Sequence, residues 1–288
     1  MPRPSNGYTN AAGKPIPGTH DPISRYMDKS ALMHWAYKRG TEGLPMYDRS
    51  AIDIGSTVHG MAELDLRGRA DREIEGYAND RLTAPDHLHK CWSAFEAFRD
   101  WRSQCHVRAI AQEVSLVSEA HQYGGTPDTI AMFGNGGLGL IDFKTSAKPY
   151  PDHLLALAAH GNLWNEHHPD QPIKSYHLLI LPKDGSGFQE YAYTDLTLQW
   201  KLFRLYLDAY RLDKAAAQVA SATVKKTTAA AASPKKRTTK PRIAAATMAE
   251  LLRRPQPEGP QPPPSRIAAA TMAELLRAYK HVPGVAAC

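Results

Sequence analysis

All five tryptophans of this 288-residue chain lie before Lys214, and beyond that point Tyr279 is the only aromatic side chain. A core therefore has to be built from residues 1–213, where alternating and helical apolar patterns are mixed and the length suffices for one ordinary domain. Residues 214–288 are rich in Ala, Pro, Lys and Thr. Such a stretch cannot bury enough apolar surface to offset its ordering entropy, so a disordered tail is expected. Charge divides at the same place: the tail carries 13 Lys and Arg against 3 Glu, and the body 22 basic against 26 acidic residues. The formal net charge of +6 thus belongs to the tail. The mildly acidic body is compatible with carboxylates gathered round a divalent cation.

Cys91, Cys105 and Cys288 are too few and too scattered for a disulfide framework and suit a reducing compartment. The opening Met1-Pro2-Arg3-Pro4-Ser5-Asn6 lacks the apolar segment of a signal peptide. No window reaches the roughly 18 consecutive apolar residues needed to cross a bilayer. A cytoplasmic protein with no membrane partner is the expectation.

The apolar periodicity predicts a loop-like opening, a helix over 22–37, and a second helix from Asp48-Arg49-Ser50 to about Arg67. Asp48 or Ser50 would cap that second helix, with Ile54, Val58, Met61 and Leu64 or Asp65 on its apolar face. A third helix is expected over 86–102, burying Leu88, Trp92, Phe95, Phe98 and Trp101. The period then changes to that of strands, at 107–117, from Gly124 to Met132 and over 138–144, the last two joined by a hairpin turn at Gly134-Asn135-Gly136-Gly137. A helix over 151–166, strands over 175–181 and 188–193, and a helix from Leu196 to about Lys214 complete an α+β order with a three-stranded meander at its centre.

Chemistry concentrates on Leu138-Gly139-Leu140-Ile141-Asp142-Phe143-Lys144-Thr145. Strand alternation puts Asp142 and Lys144 on one face and Ile141 and Phe143 on the other. Alone, that pair reads as a salt bridge emerging at a strand end. Asp128 changes the reading: a hairpin centred on residue 135 pairs position 128 with 142 and sets two carboxylates side by side. Adjacent carboxylates repel unless a proton or cation separates them, and hard oxygen ligands suit Mg²⁺ or Mn²⁺. Upstream, Glu113 interrupts a core-like strand, and His59 follows Gly55 by four positions on the second helix.

The order Gly-x-x-x-His, Glu, Gly-Gly-x-x-Asp, Ile-Asp-Phe-Lys-Thr-Ser resembles the RecB-type branch of the PD-(D/E)XK nuclease superfamily, above all its phage-encoded exonucleases. The resemblance covers about residues 7–213 and extends to Gly13–Thr19 and to Ala31-Leu32-Met33-His34-Trp35-Ala36. It implies a restriction-endonuclease-like core, a central mixed sheet flanked by helices, that hydrolyses DNA phosphodiesters in phage recombination or DNA processing. It further implies that His59, Asp128, Asp142 and the Phe143 backbone carbonyl bind the metal, with Glu113 in an outer or second position. Lys144 would orient the attacking water, titrating more easily than a free lysine beside the cation. Relatives carry Gln-x-x-x-Tyr on the following helix, where this chain has Ala156 and His160. That departure bears on DNA positioning, the role the resemblance gives His160. Some relatives hold an iron–sulfur cluster on four cysteines, which three scattered cysteines exclude. The alternative reading is a DNA-binding or assembly protein on a degenerate nuclease fold.

Other patterns carry less. Gly134–Gly139 matches G-x-G-x-x-G but precedes a strand, whereas a dinucleotide site needs a helix there. His87, His89 and Cys91 lie two apart on a helix and diverge, which argues against zinc. In the tail, Lys225-Lys226 and the run from Pro234 to Arg242 suit either nonspecific attraction to phosphates or simple solubility. Residues 242–253 recur identically at 266–277 across a Pro-rich spacer. The copies are either paired docking helices for a recombination or single-strand-binding partner protein, or a duplication without a role.

Overall fold

The computed structural model describes residues 4, 7–45, 49–134 and 136–230 of the chain. Its first elements are the short strands β1 (Tyr8–Thr9) and β2 (Pro15–Ile16) and the helices α1 (His20–Tyr26), α2 (Ser30–Thr41), α3 (Ser50–Leu66), α4 (Asp71–Asn79) and α5 (Pro85–Cys105). Strands β3 (Arg108–Gln112), β4 (Leu116–Ser118), β5 (Tyr123–Gly125), β6 (Thr129–Met132) and β7 (Leu138–Lys144) follow. Helix α6 (Pro151–His167), strands β8 (Ser175–Ile180) and β9 (Gln189–Tyr193), and helix α7 (Thr197–Ala230) end the order. The tail repeats at 242–253 and 266–277 and the basic run at 234–242 lie outside the described residues.

The architecture is α+β, as expected: a five-stranded mixed sheet in the order β3-β6-β7-β8-β9, flanked by helices. Strands β3, β6 and β7 form the expected antiparallel meander, β8 joins β7 in parallel after the α6 crossover, and β9 closes the far edge antiparallel. Because side chains alternate along a strand, the central strands feed two cores. Ile130, Leu138, Leu140, Leu178 and Ile180 pack with α6 residues and with Phe203 and Leu207 of α7. Ala131, Phe133, Ile141, Phe143, Leu179 and Leu181 pack with α3, α4 and α5. On that second side Phe95, Phe98 and Trp101 are fully buried, which confirms the apolar face read for α5. A strand buried on both faces reads as a near-continuous apolar run, as β7 does up to Asp142.

Two buried polar groups in these layers have charged or polar partners. Asp65, the alternative to Leu64 on the buried side of α3, is buried and bound by Arg99 (3.1 Å) and Arg102. His177 of β8 stacks on Phe133 and joins Glu190 (2.6 Å) to Ser175 (2.8 Å).

Several expectations need correction. The helix expected over 22–37 is two: Asp28 takes the Ser30 backbone N–H (2.8 Å) and hydroxyl (2.7 Å), so α2 starts afresh. Ser50 begins α3 as its first residue, and Arg49 stands at the cap without a side-chain capping hydrogen bond among the described residues; Asp48 lies outside them. The strand expected at 107–117 breaks at Glu113, whose φ of +49° turns the chain. Its second part becomes β4, paired with β5 in a separate two-stranded sheet. Gly124 and Gly125 therefore belong to β5, and β6 starts only at Thr129. The loop-like opening contains the β1–β2 pair, and α4, rich in charge, was not foreseen. Helix α7 runs past Lys214 to Ala230, since the Ala-rich sequence propagates a helix already started.

Gly124 shows why that two-stranded sheet needs glycine. A β-carbon there would stand 2.2 Å from the Tyr8 ring. Gly124→Ala is expected to destabilise the body by about 1–3 kcal/mol, the usual cost of overpacking. Urea unfolding measures it, and an unchanged midpoint would mean that the Tyr8 ring simply moves aside.

Candidate metal centre

The register of β6 and β7 positions the acids. Thr129 pairs with Ile141, Ile130 with Leu140, Ala131 with Gly139 and Met132 with Leu138. Continued by one residue, this sets Asp128 opposite Asp142, the pairing expected about position 135. Asp128 lies just outside β6, and its carboxylate replaces the ladder there: Phe143 N–H donates to Asp128 Oδ2 at 2.9 Å. Thr126, two residues earlier, is held by the Tyr8 hydroxyl (2.9 Å) and the Ser115 hydroxyl (3.1 Å). The loop that carries Asp128 is thus fixed at both ends.

Glu113 arrives from the end of β3. Its backbone N–H donates to the Asp128 carbonyl at 3.1 Å, and its left-handed backbone re-aims the chain out of the sheet. A non-glycine residue held there stores backbone strain, a feature that clusters at functional sites. Burial, then the charges of Asp128 and Glu63, push the Glu113 carboxyl up to about 7.

His59 comes from α3. A β-carbon at Gly55 would stand 3.1 Å from Thr145 Oγ1, so glycine lets this helix approach the end of β7. The His59 ring sits edge-on to Phe143 at 5.8 Å, and its Nδ1 lies 3.4 Å from Asp128 Oδ2. Ligand atoms of His59, Glu113 and Asp128 all lie within 4.8 Å of one another. One imidazole nitrogen and two carboxylate oxygens, partly shielded from water, form a donor set that a divalent cation fits.

Asp142 is placed differently. It is 2% exposed and forms an ion pair with Lys144, without a well-aligned hydrogen bond at Oδ2. The Lys144 ammonium also donates to the Phe143 carbonyl at 3.2 Å. It therefore rests against both of the groups that the resemblance gave to the metal beyond His59 and Asp128. Burial works to lower the pKa of Lys144, but Asp142 and Asp128 outweigh it and hold the group above its ordinary value.

Ala156 and His160 both lie in the core of α6, His160 at 3% exposure. The His160 ring meets His20 edge-on at 6.1 Å. A β-carbon at Gly125 would lie 2.8 Å from it.

Two neighbours were missed by sequence reasoning. Glu63 stands one turn after His59 and adds its charge to that of Asp128 around Glu113; the i+4 spacing from His59 was the available signal. Tyr77 of α4 packs its hydroxyl against Gly60, and only the folded chain brings it there.

No family model matches the chain, and no curated protein matches it. Among solved structures it is similar to the crystal structure of LHK-Exo in complex with dAMP, at 12% identity and a TM-score of 0.40, over 74% of this chain and 94% of that one. It is also similar to the crystal structure of SSO0001, at 13% identity and a TM-score of 0.30, over 64% of this chain and 85% of that one.

Proposed function

We propose that the chain is a metal-dependent deoxyribonuclease of the PD-(D/E)XK type that hydrolyses DNA phosphodiester bonds as an exonuclease. The observation that carries this reading is the convergence of His59, Glu113 and Asp128 beside the end of β7, where Asp142 and Lys144 meet. Resemblance alone supplies the setting, phage recombination or DNA processing in the cytoplasm of a bacterial host.

In this reading His59, Glu113 and Asp128 would hold a Mg²⁺ or Mn²⁺ ion, while Asp142 and the Phe143 carbonyl hold Lys144. When bound, the cation polarises the phosphodiester and lowers the pKa of water. Asp128 has a second task, since its carboxylate holds the Phe143 amide in place. Lys144, held between Asp142 and the Phe143 carbonyl, offers its ammonium to orient water and to offset charge developing on the phosphate. His160, buried in α6, would act on DNA position only through the residues packed around it.

The experiment is degradation of linear double-stranded DNA by the purified chain. Cleavage is expected with Mg²⁺ or Mn²⁺, its loss with chelator and its return on adding metal, while covalently closed circles are spared. Cleavage that ignores chelator removes the metal reading. DNA binding without cleavage under any metal favours the assembly-protein alternative. Docking of a recombination or single-strand-binding protein on the tail repeats belongs to the same proposal and rests on the sequence.

A further inference from the structure

Helix α7 is apolar on two opposite sides. Leu196, just before it, and Phe203 and Leu207 are buried against the body, with Trp200 and Tyr206 packed beside them. On the other side Leu198, Leu202, Leu205, Ala209 and Leu212 follow at intervals of four, three, four and three residues. The leucines among them are 75%, 40%, 65% and 72% exposed. A surface helix needs one apolar stripe, and a scattered exposed leucine needs no explanation. Four leucines on a strict 4-3 repeat are a different case. That spacing is the seam of a left-handed coiled coil, and what covers it is another helix with the same spacing.

We propose that α7 pairs with α7 of a second copy of this chain, antiparallel and centred on Leu205. The seam is self-complementary in that orientation. Leu205 meets Leu205 on the twofold axis, Leu198 meets Leu212 of the other copy, and Leu202 meets its Ala209. Charge selects the same direction. Lys201 and Asp208 flank one side of the seam, so an antiparallel pair brings each lysine to the other copy's aspartate. A parallel pair would leave Lys201 facing Tyr206 and would face Asp208 with Asp213, a carboxylate that Arg25 already holds at 2.9 Å. From Leu198 to Leu212 the seam is about 21 Å long at the usual rise. Two heptads of this length would be marginal as free peptides. Here the helix is already held by its buried side, so association does not bear the cost of forming it.

The test uses the full-length chain and needs no DNA. Light scattering across about 10–100 μM, a range suited to a small interface, is expected to give twice the chain mass. Leu205→Lys, which sets two ammonium groups face to face on the axis, is expected to weaken the dimer by about a hundredfold or more. Circular dichroism checks that this variant folds. In a Cys288→Ser background, Leu205→Cys is expected to form a disulfide-linked dimer on oxidation, which keeps the test independent of the charged variant. Leu198→Cys and Leu212→Cys are expected to cross-link when mixed and not when alone. A monomeric wild-type chain overturns the proposal and leaves the repeats at 242–253 and 266–277 as the cover for the stripe. So does a dimer that Leu205→Lys leaves intact, or self-cross-linking of Leu198→Cys, which would make the pair parallel.

Discussion

Asp128→Asn is expected to reduce metal-dependent DNA cleavage by about a thousandfold, equivalent to about 4 kcal/mol of transition-state stabilisation. The change is chosen because the amide oxygen can still accept from Phe143 N–H, as Asp128 Oδ2 does at 2.9 Å. The β6–β7 hairpin then keeps its shape, and what is lost is one negative charge beside His59 and Glu113. Asp128→Ala would remove ligand and amide acceptor together, and its loss of activity would not separate the two. Steady-state cleavage with Mg²⁺ and with Mn²⁺, alongside thermal unfolding of both proteins, measures the effect. An Asp128→Asn chain that is as stable as wild type and cuts within tenfold of it would remove Asp128 from the metal site.

The second large effect concerns acid stability. His160 is enclosed in α6, its Nδ1 lacks a hydrogen-bond partner among the described residues, and burial holds its pKa down to about 3. An unfolded histidine titrates near 6.5, so the unfolded chain takes up this proton first. Stability from the neutral buried ring is therefore complete above about pH 6.5 and is lost as pH falls toward the folded value. The slope is about 1.4 kcal/mol per pH unit, or about 2 kcal/mol between pH 7 and pH 5. His160→Leu removes the titration and keeps the site apolar. Urea unfolding at the two pH values is expected to show wild type losing about 2 kcal/mol more than the variant. Equal losses would mean that His160 is already charged in the folded chain.

Much of the site was legible because a symmetric hairpin obeys simple arithmetic. Once the glycines at 134–137 were read as a turn, every pair in β6 and β7 summed to 270, and Asp128 had to face Asp142. The aromatic face of α5 was equally plain from its spacing. Other features left little trace. Nothing in Gln112-Glu113-Val114 announces a left-handed residue, so the break between β3 and β4 was invisible. The short, charged α4 offers only Ile74, Tyr77 and Ala78 to a core, too few to show a period. The split of α1 from α2 depends on two local bonds at Asp28, which compete with helix continuation only when the geometry allows them. The ion pair of Lys144 with Asp142 was readable from strand alternation, but its burial, in place of a salt bridge emerging at a strand end, was not.

The support of Asp128 has a consequence for how the chain tolerates change. Tyr8 packs against Gly124 and bonds Thr126, two residues before the acid and 118 positions away in sequence. The aim of the Asp128 carboxylate is thus governed from a residue far off in sequence. A change at residue 8 is therefore expected to act as a remote adjustment of the proposed metal centre, even though it touches none of its residues.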